Sequence, residues 1–266
     1  MSGTKNAPHR PPPSALSAAR LIATMSFQRM RRGRLLRITA VILALPVAGT
    51  LLASIAGKGG PDLFAALATL YLRYLAPLLL ALYSAHSVAD EVQGATITYL
   101  WSRPLTRWAL PLGKLLATLA VTAPALLLSL LGCYLAAMLP EGGAVFSQLG
   151  GLFSALMALL VGVFYYGALT AAFGAIVTSH TFAVIAIYVL AVDIGLGFVP
   201  GIMKTASMAT HLLAIAGLYK PQQGHFSSDP ELSLMISLPI VLAVSLVWLV
   251  VGLTVAHGAE YRISRE

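Results

Sequence analysis

The sequence predicts an all-α, polytopic membrane protein with six transmembrane helices, and three observations carry that prediction. Of 266 residues, 58% are apolar and only 10% are charged. The apolar residues run in uninterrupted blocks rather than at the spacing that gives a helix one buried stripe, so the blocks need lipid around them. A hydrocarbon core of roughly 30 Å takes about 20 residues at a rise of about 1.5 Å each, and the chain has room for about six such crossings.

Taken in order, residues 1–13 (MSGTKNAPHRPPP) are Pro-rich, polar and basic, and are expected to form a disordered cytoplasmic tail. Residues 14–34 mix Leu16, Leu21, Ile22, Met25, Phe27 and Met30 with Arg20, Arg29, Arg31, Arg32 and Arg34. That mixture suits an interfacial amphipathic helix on an anionic leaflet. The basic stretch is far longer than a signal-peptide n-region needs, so the apolar run after it is expected to stay as a crossing.

The six-helix unit spans residues 35–258, and residues 259–266 are a second cytoplasmic tail. Its first crossing covers about Leu35 to Ala56, with a kink expected at Pro46. The loop GKGGPD leads to the second, about Leu63 to Ala85. The third, about Pro111 to Leu139, opens on a proline suited to a first turn and carries Pro124 as an expected mid-helix break. The fourth, about Leu149 to Val177, contains Gly162, Gly167 and Gly174, which allow a neighbouring helix close approach. A short turn at Ser179 and His180 precedes the fifth, about Phe182 to Val199. The connection from Gly201 to Ser233 is too apolar in its first half for a simple loop. It predicts re-entrant or interfacial helices, then a polar turn from Pro221 to Pro230, before the sixth crossing at about Leu234 to Ala256.

Six crossings put both termini on one side. Thirteen of the seventeen Lys and Arg lie on that side, eight of them before residue 38; Lys58, Lys204 and Lys220 lie on the other, and Arg73 lies inside the second crossing. This bias places the termini in the cytoplasm. It also explains the net charge of +8 as topology and headgroup contact rather than nucleic-acid binding. The lone Cys133 sits in an apolar block, so no intrachain disulfide is possible.

The stretch Asp90 to Lys114, DEVQGATITYLWSRPLTRWALPLGK, lies between the second and third crossings and carries two acids, two arginines and a lysine. Asp90 and Glu91 open it, Thr96 to Trp101 is a short apolar patch, and Pro104 forces Arg103 out of helical geometry. Arg107 and Lys114 flank the start of the third helix. Such a compact knob can plug into a cleft on a docked protein.

The stretch resembles the cytoplasmic loop of ABC transporter permeases of the type-2 exporter class, whose pattern is an acid, Gly-Thr, an apolar run, Pro-x-x-Arg and Gly-Lys. Thr96, Leu100, Pro104, Arg107, Gly113 and Lys114 fall at the family's spacing. Glu91 is the better match to the acid and Asp90 the second. Ala95 stands where the family has glycine, with Gly94 one place early. The six-helix layout and the basic helix before the first crossing extend the resemblance over nearly the whole chain. It implies a cytoplasmic coupling helix made of Asp90, Glu91, Thr96, Leu100, Arg103, Pro104, Arg107 and Lys114. It also implies docking on a separate ABC-type ATP-binding subunit, which would hold the ATP and Mg, and pairing with a second permease copy.

Arg73 and Asp193 are opposite charges deep in crossings, each needing a partner or a wet cavity. They are expected to pair, within a protomer or across a dimer, or to line the pathway. His86, His180, His211, His225 and His257 show no metal-ligand spacing. Gly113-Lys114 is followed by Leu115, so no phosphate loop is present and the chain is not expected to hydrolyse ATP or to carry a cofactor of its own. The reading is therefore a multi-pass inner-membrane permease of an ATP-driven exporter. The alternatives are a non-transporting membrane scaffold, for which the interfacial helix and Arg-rich tail would suffice, and a six-helix intramembrane enzyme.

Overall fold

The computed structural model describes residues 15–84, 107–142, 144–177, 179–221 and 229–258. Asp90, Glu91, Thr96, Leu100, Arg103 and Pro104, both tails, His86 and His225 therefore lie outside the described residues. Every regular element among the described residues is helical, and six of the helical stretches are long and apolar enough to cross a membrane.

Helix α1 (Ala15–Arg32) is followed after Gly33 by α2 (Arg34–Ile55), the first crossing. The second crossing is α3 (Pro61–Leu70), a π-helical turn (Tyr71–Leu75) and α4 (Ala76–Ser84). Helix α5 (Ala109–Met138) is the third and α6 (Leu149–Ile176) the fourth. The fifth begins as α7 (Thr181–Tyr188), passes into a second π-helical turn (Val189–Gly195) and ends at Phe198. After a 3₁₀ turn (Ile202–Ala206) comes α8 (Met208–Ile215), and α9 (Leu234–Gly258) is the last crossing.

Helix α6 is the central element, two-thirds buried, with α4, α5, α8 and α9 packed around it. Small residues set the approach distances. A Cβ on Gly162 would lie 3.0 Å from Leu212 of α8, one on Gly167 2.7 Å from Leu119 of α5, and one on Gly252 of α9 3.0 Å from the Ala172 backbone. Lipid gives no hydrophobic drive for helix association, so such packing and interhelical hydrogen bonds must supply it. At mid-depth the Tyr71 hydroxyl meets Ser129 Oγ at 2.5 Å, and Ser129 Oγ donates to the Leu43 carbonyl at 2.7 Å, tying the second crossing to α5 and α2. Leu45, Leu128, Phe153, Ile187, Leu246 and Val247 point outward, an arrangement that lipid rather than water accommodates.

One local expectation is corrected and another is narrowed. Pro124 does not break α5, which runs continuously from Ala109 to Met138. A proline removes one N–H but leaves the flanking turns intact, and Val121, Leu126 and Leu130 are buried on either side. The segment before the last crossing was expected to be re-entrant or interfacial, and of these its burial agrees with a re-entrant helix, because all eight residues of α8 are buried, packed against α6 and α9.

Candidate functional site

Two regions at opposite ends of the bundle gather the polar side chains. One surrounds the start of α5, on the face that carries α1. The other lies on the far face, between the second crossing, the end of the fifth and α8.

On the α1 face, Ala18 and Ala19 of α1 pack on Ala109, with Ile22 and Leu112 beside them. Contact is close because Gly113 has no side chain: a Cβ there would sit 2.7 Å from the Ala19 carbonyl oxygen and 2.8 Å from Ile22. Further along, Met30 packs with Tyr83, Ala117 and Val121, and the Thr39 hydroxyl donates to Tyr83 Oη at 3.2 Å. Arg107 Nη1 reaches the His257 carbonyl of α9 at 3.4 Å. Lys114 is buried, 7% exposed, at the same level of α5. The structure thus brings Arg107, Gly113 and Lys114 onto a brace formed by α1, α5 and the ends of α4 and α9.

On the far face, each intramembrane charge sits in a π-helical turn, Arg73 in the second crossing and Asp193 in the fifth. π turns inside α-helices are rare and concentrate at functional sites. The Asp193 side chain is fully buried. Its Oδ1 accepts from the Met208 N–H at 3.1 Å, and its backbone carbonyl accepts from Ser207 Oγ at 2.5 Å. Ser207 in turn caps α8, accepting from the Thr210 N–H at 3.3 Å. A carboxylate at a helix N-terminus is favoured by orphan N–H groups and by the helix dipole.

Arg73 is rooted near mid-depth, but helical side chains lean toward the helix N-terminus, which here carries the guanidinium toward the far face. Arg73 Cζ lies 4.6 Å from the Phe198 ring centroid. Among the described residues no ion pair joins Arg73 to Asp193 within one protomer. A charge at the centre of a bilayer costs about 2.5–3.5 kcal/mol on insertion scales, so this guanidinium is held at a price that stacking alone offsets only in part. The Asp193 carboxylate lies against the hydroxyls of Tyr165 and Tyr166, whereas Arg73 Nε and Thr210 Oγ1 are buried without a hydrogen-bond partner. Unmet buried groups of this kind are uncommon in native interiors.

Beside it lies a cavity of about 290 Å³ lined by Arg73, Phe198, Lys204, Thr210, Tyr219 and Lys220, among others. Lys204 Nζ pairs with Asp229 Oδ2 at 2.5 Å, and Asp229 Oδ1 accepts from the Gly201 N–H at 2.9 Å. The Tyr219 hydroxyl donates to the Pro230 carbonyl at 3.1 Å, and burial, then the nearby Asp229 charge, push its pKa above the ordinary tyrosine value. His211 of α8 is a structural histidine. Its Nε2–H donates to the Thr205 carbonyl at 3.0 Å, which leaves Nδ1 to accept from Ser237 Oγ at 3.1 Å, and burial lowers its pKa.

The tyrosine pair, Thr210 and the Lys204–Asp229 pair were not singled out from the sequence. The one available signal was the high polar content of an otherwise apolar segment around Lys204 to His211.

A search of curated proteins found no match. A family model described as ABC-2 family transporter protein matches residues 23–197, which run from α1 through nearly all of the fifth crossing and include the whole stretch from Asp90 to Lys114. That match covers well over half of the chain and agrees with the six-crossing, all-helical fold, so the chain belongs to the ABC-2 family of transporter proteins and is a permease component of an ABC transporter.

Proposed function

We propose that the chain forms the substrate pathway of an ATP-driven exporter. It acts as a pair of copies in the inner membrane with both termini cytoplasmic, and draws its energy from a separate ATP-binding subunit that holds the ATP and Mg. That subunit docks on the stretch from Asp90 to Lys114, with Asp90, Glu91, Thr96, Leu100, Arg103, Pro104 and Arg107 as its contact set and Lys114 at its base. Arg73 and Asp193 line the far end of the pathway.

The observation that carries this reading is the brace around Arg107 to Lys114. Gly113 seats α1 against the root of α5, Arg107 reaches the end of α9, and Met30 joins α1 to the end of α4 through Tyr83. A load applied at this stretch would be shared by several membrane helices rather than absorbed by one loop. A scaffold has no need of such a load path.

The test is gentle solubilisation of the chain and an ATPase assay on what co-purifies, comparing wild type with Glu91→Ala and Arg107→Ala. The expected result is a bound ATPase that either variant loses or uncouples. A folded chain that brings down no ATPase would overturn the proposal.

A further inference from the structure

We propose that the far-face cavity binds the phosphate group of a phosphate ester. The argument rests on which of its polar groups are already engaged and which are not. Lys204 is neutralised by Asp229, and the Tyr219 hydroxyl is committed to the Pro230 carbonyl. Arg73 and Lys220 are then the cations that face the cavity without an acid paired to them among the described residues. Thr210, 1% exposed, adds a hydroxyl whose oxygen has no hydrogen-bond partner.

The geometry suits an oxyanion with several free oxygens. Arg73 Cζ lies over the Phe198 ring, a cation–π contact that meets the charge without an acid or a hydrogen-bond acceptor. Gly197 keeps the guanidinium edge open: a Cβ there would lie 3.1 Å from Arg73 Nη2 and 3.3 Å from Thr210 Oγ1. These contacts also show that the guanidinium edge and the Thr210 hydroxyl converge on one spot. Lys220 approaches from the chain beyond α8. The tetrahedrally placed oxygens of a phosphate can engage a fork, a hydroxyl and an ammonium from different directions, whereas the acceptor sites of a carboxylate all lie close to one plane. At about 290 Å³ the cavity holds a phosphate with a small alcohol such as glycerol but not an acyl chain. Any lipid tail must therefore lie outside it.

The phosphate could arrive on a soluble ester or on a lipid headgroup, and the test separates these sources. Full-length protein in phosphatidylcholine nanodiscs is titrated with glycerol phosphate by calorimetry, with glycerate as the carboxylate comparison. Retention of phosphatidylglycerol over phosphatidylcholine is read by native mass spectrometry. Arg73→Gln should weaken binding roughly tenfold, as loss of charged hydrogen bonds does. Lys220→Gln, at an exposed position where folding is not at stake, should weaken it about threefold. Lys58→Gln, which removes the same charge from an exposed loop position on the same face, should leave it unchanged.

Binding of glycerol phosphate with this variant pattern assigns the site to the phosphate group itself. Selective retention of phosphatidylglycerol alone, with the same pattern, assigns it to a lipid headgroup. If neither binds, if Lys58→Gln matches the other two variants, or if glycerate binds as well as glycerol phosphate, the proposal is wrong. None of these readouts needs ATP or a partner subunit, so failure here is separate from failure of the exporter reading.

Discussion

Replacing Gly113 by alanine adds one methyl group, and the structure sets out its consequence. The new Cβ would stand 2.7 Å from the Ala19 carbonyl oxygen and 2.8 Å from Ile22 Cβ. The first obstacle is backbone, so no rotamer change relieves it, and α1 must move away from α5. Overpacking of this kind costs about 1–3 kcal/mol, and about 2 kcal/mol changes the ratio of docked to undocked helix about thirtyfold. The assay is maleimide labelling of Ala19→Cys in membranes, because Ala19 is 2% exposed when α1 is docked. Native Cys133 is fully buried and contributes little background. Labelling should be slow in the Ala19→Cys protein and at least several-fold faster when Gly113→Ala is added. Equal rates in the two backgrounds, with unchanged thermal stability, would refute the close-packed brace and remove the observation on which coupling through α1 rests.

Other perturbations follow from the far face. Lys204→Ala removes the cation from the fully buried Asp229 carboxylate and should cost about 3–5 kcal/mol in thermal unfolding, whereas Lys204→Met with Asp229→Leu should recover most of it; a stable single variant would contradict the burial of that pair. Asp193→Ala orphans the Met208 N–H and should destabilise by about 1–3 kcal/mol, while Asp193→Asn keeps an acceptor and should fold normally. Loss of transport in a stable Asn variant would show that the charge itself is used, and full transport would reduce Asp193 to a helix cap. Because Arg73 and Asp193 form no ion pair within one protomer, rescue by exchanging the two charges would require pairing across copies; no rescue leaves each acting at its own place. Burial lowers the His211 pKa, so the unfolded chain binds the extra proton first, and stability should fall as pH drops through the ordinary histidine value of about 6.5. His211→Gln should flatten that slope in unfolding measured between pH 5 and 8, and an unchanged slope would assign it to another group.

The membrane frame was legible because lipid imposes a severe rule: a crossing needs about 20 apolar residues, whatever surrounds it. The observed ends of α2, α5, α6 and α9 accordingly fall within a few residues of those expected. Arg73 and Asp193 stood out for the same reason, as charges that hydrocarbon does not tolerate unaided. The π turns that hold them left no trace, since a shift in hydrogen-bond register within a helix changes neither composition nor apolar length. Pro124 read as a break because local propensity says so, and the neighbours that keep α5 continuous are contributed by distant parts of the chain. Gly113 was visible as part of a motif, but its physical role lies in a contact with Ala19, ninety-four residues away in sequence, and no local pattern encodes that.

The second crossing is the element that relates the two polar regions. At its end near α1, Tyr83 accepts from Thr39 and packs on Met30, Ala117 and Val121. In its middle, Tyr71 is bonded to Ser129, and through it to Leu43, inside lipid where a polar tie cannot be exchanged for water. Two residues on, in the same π turn, Arg73 turns to the opposite side and meets the far-face cavity with a stacked ring and an unmet Nε. One face of that turn is therefore anchored and the other is left with unsatisfied bonds. A helix tied at Tyr71 and Tyr83 transmits a displacement of its α1-face end as a rigid body, and Arg73 is the charged group along it with unmet hydrogen-bonding capacity. If a partner subunit loads the stretch from Asp90 to Lys114, the side chain whose surroundings that load changes most cheaply is the guanidinium that faces the cavity.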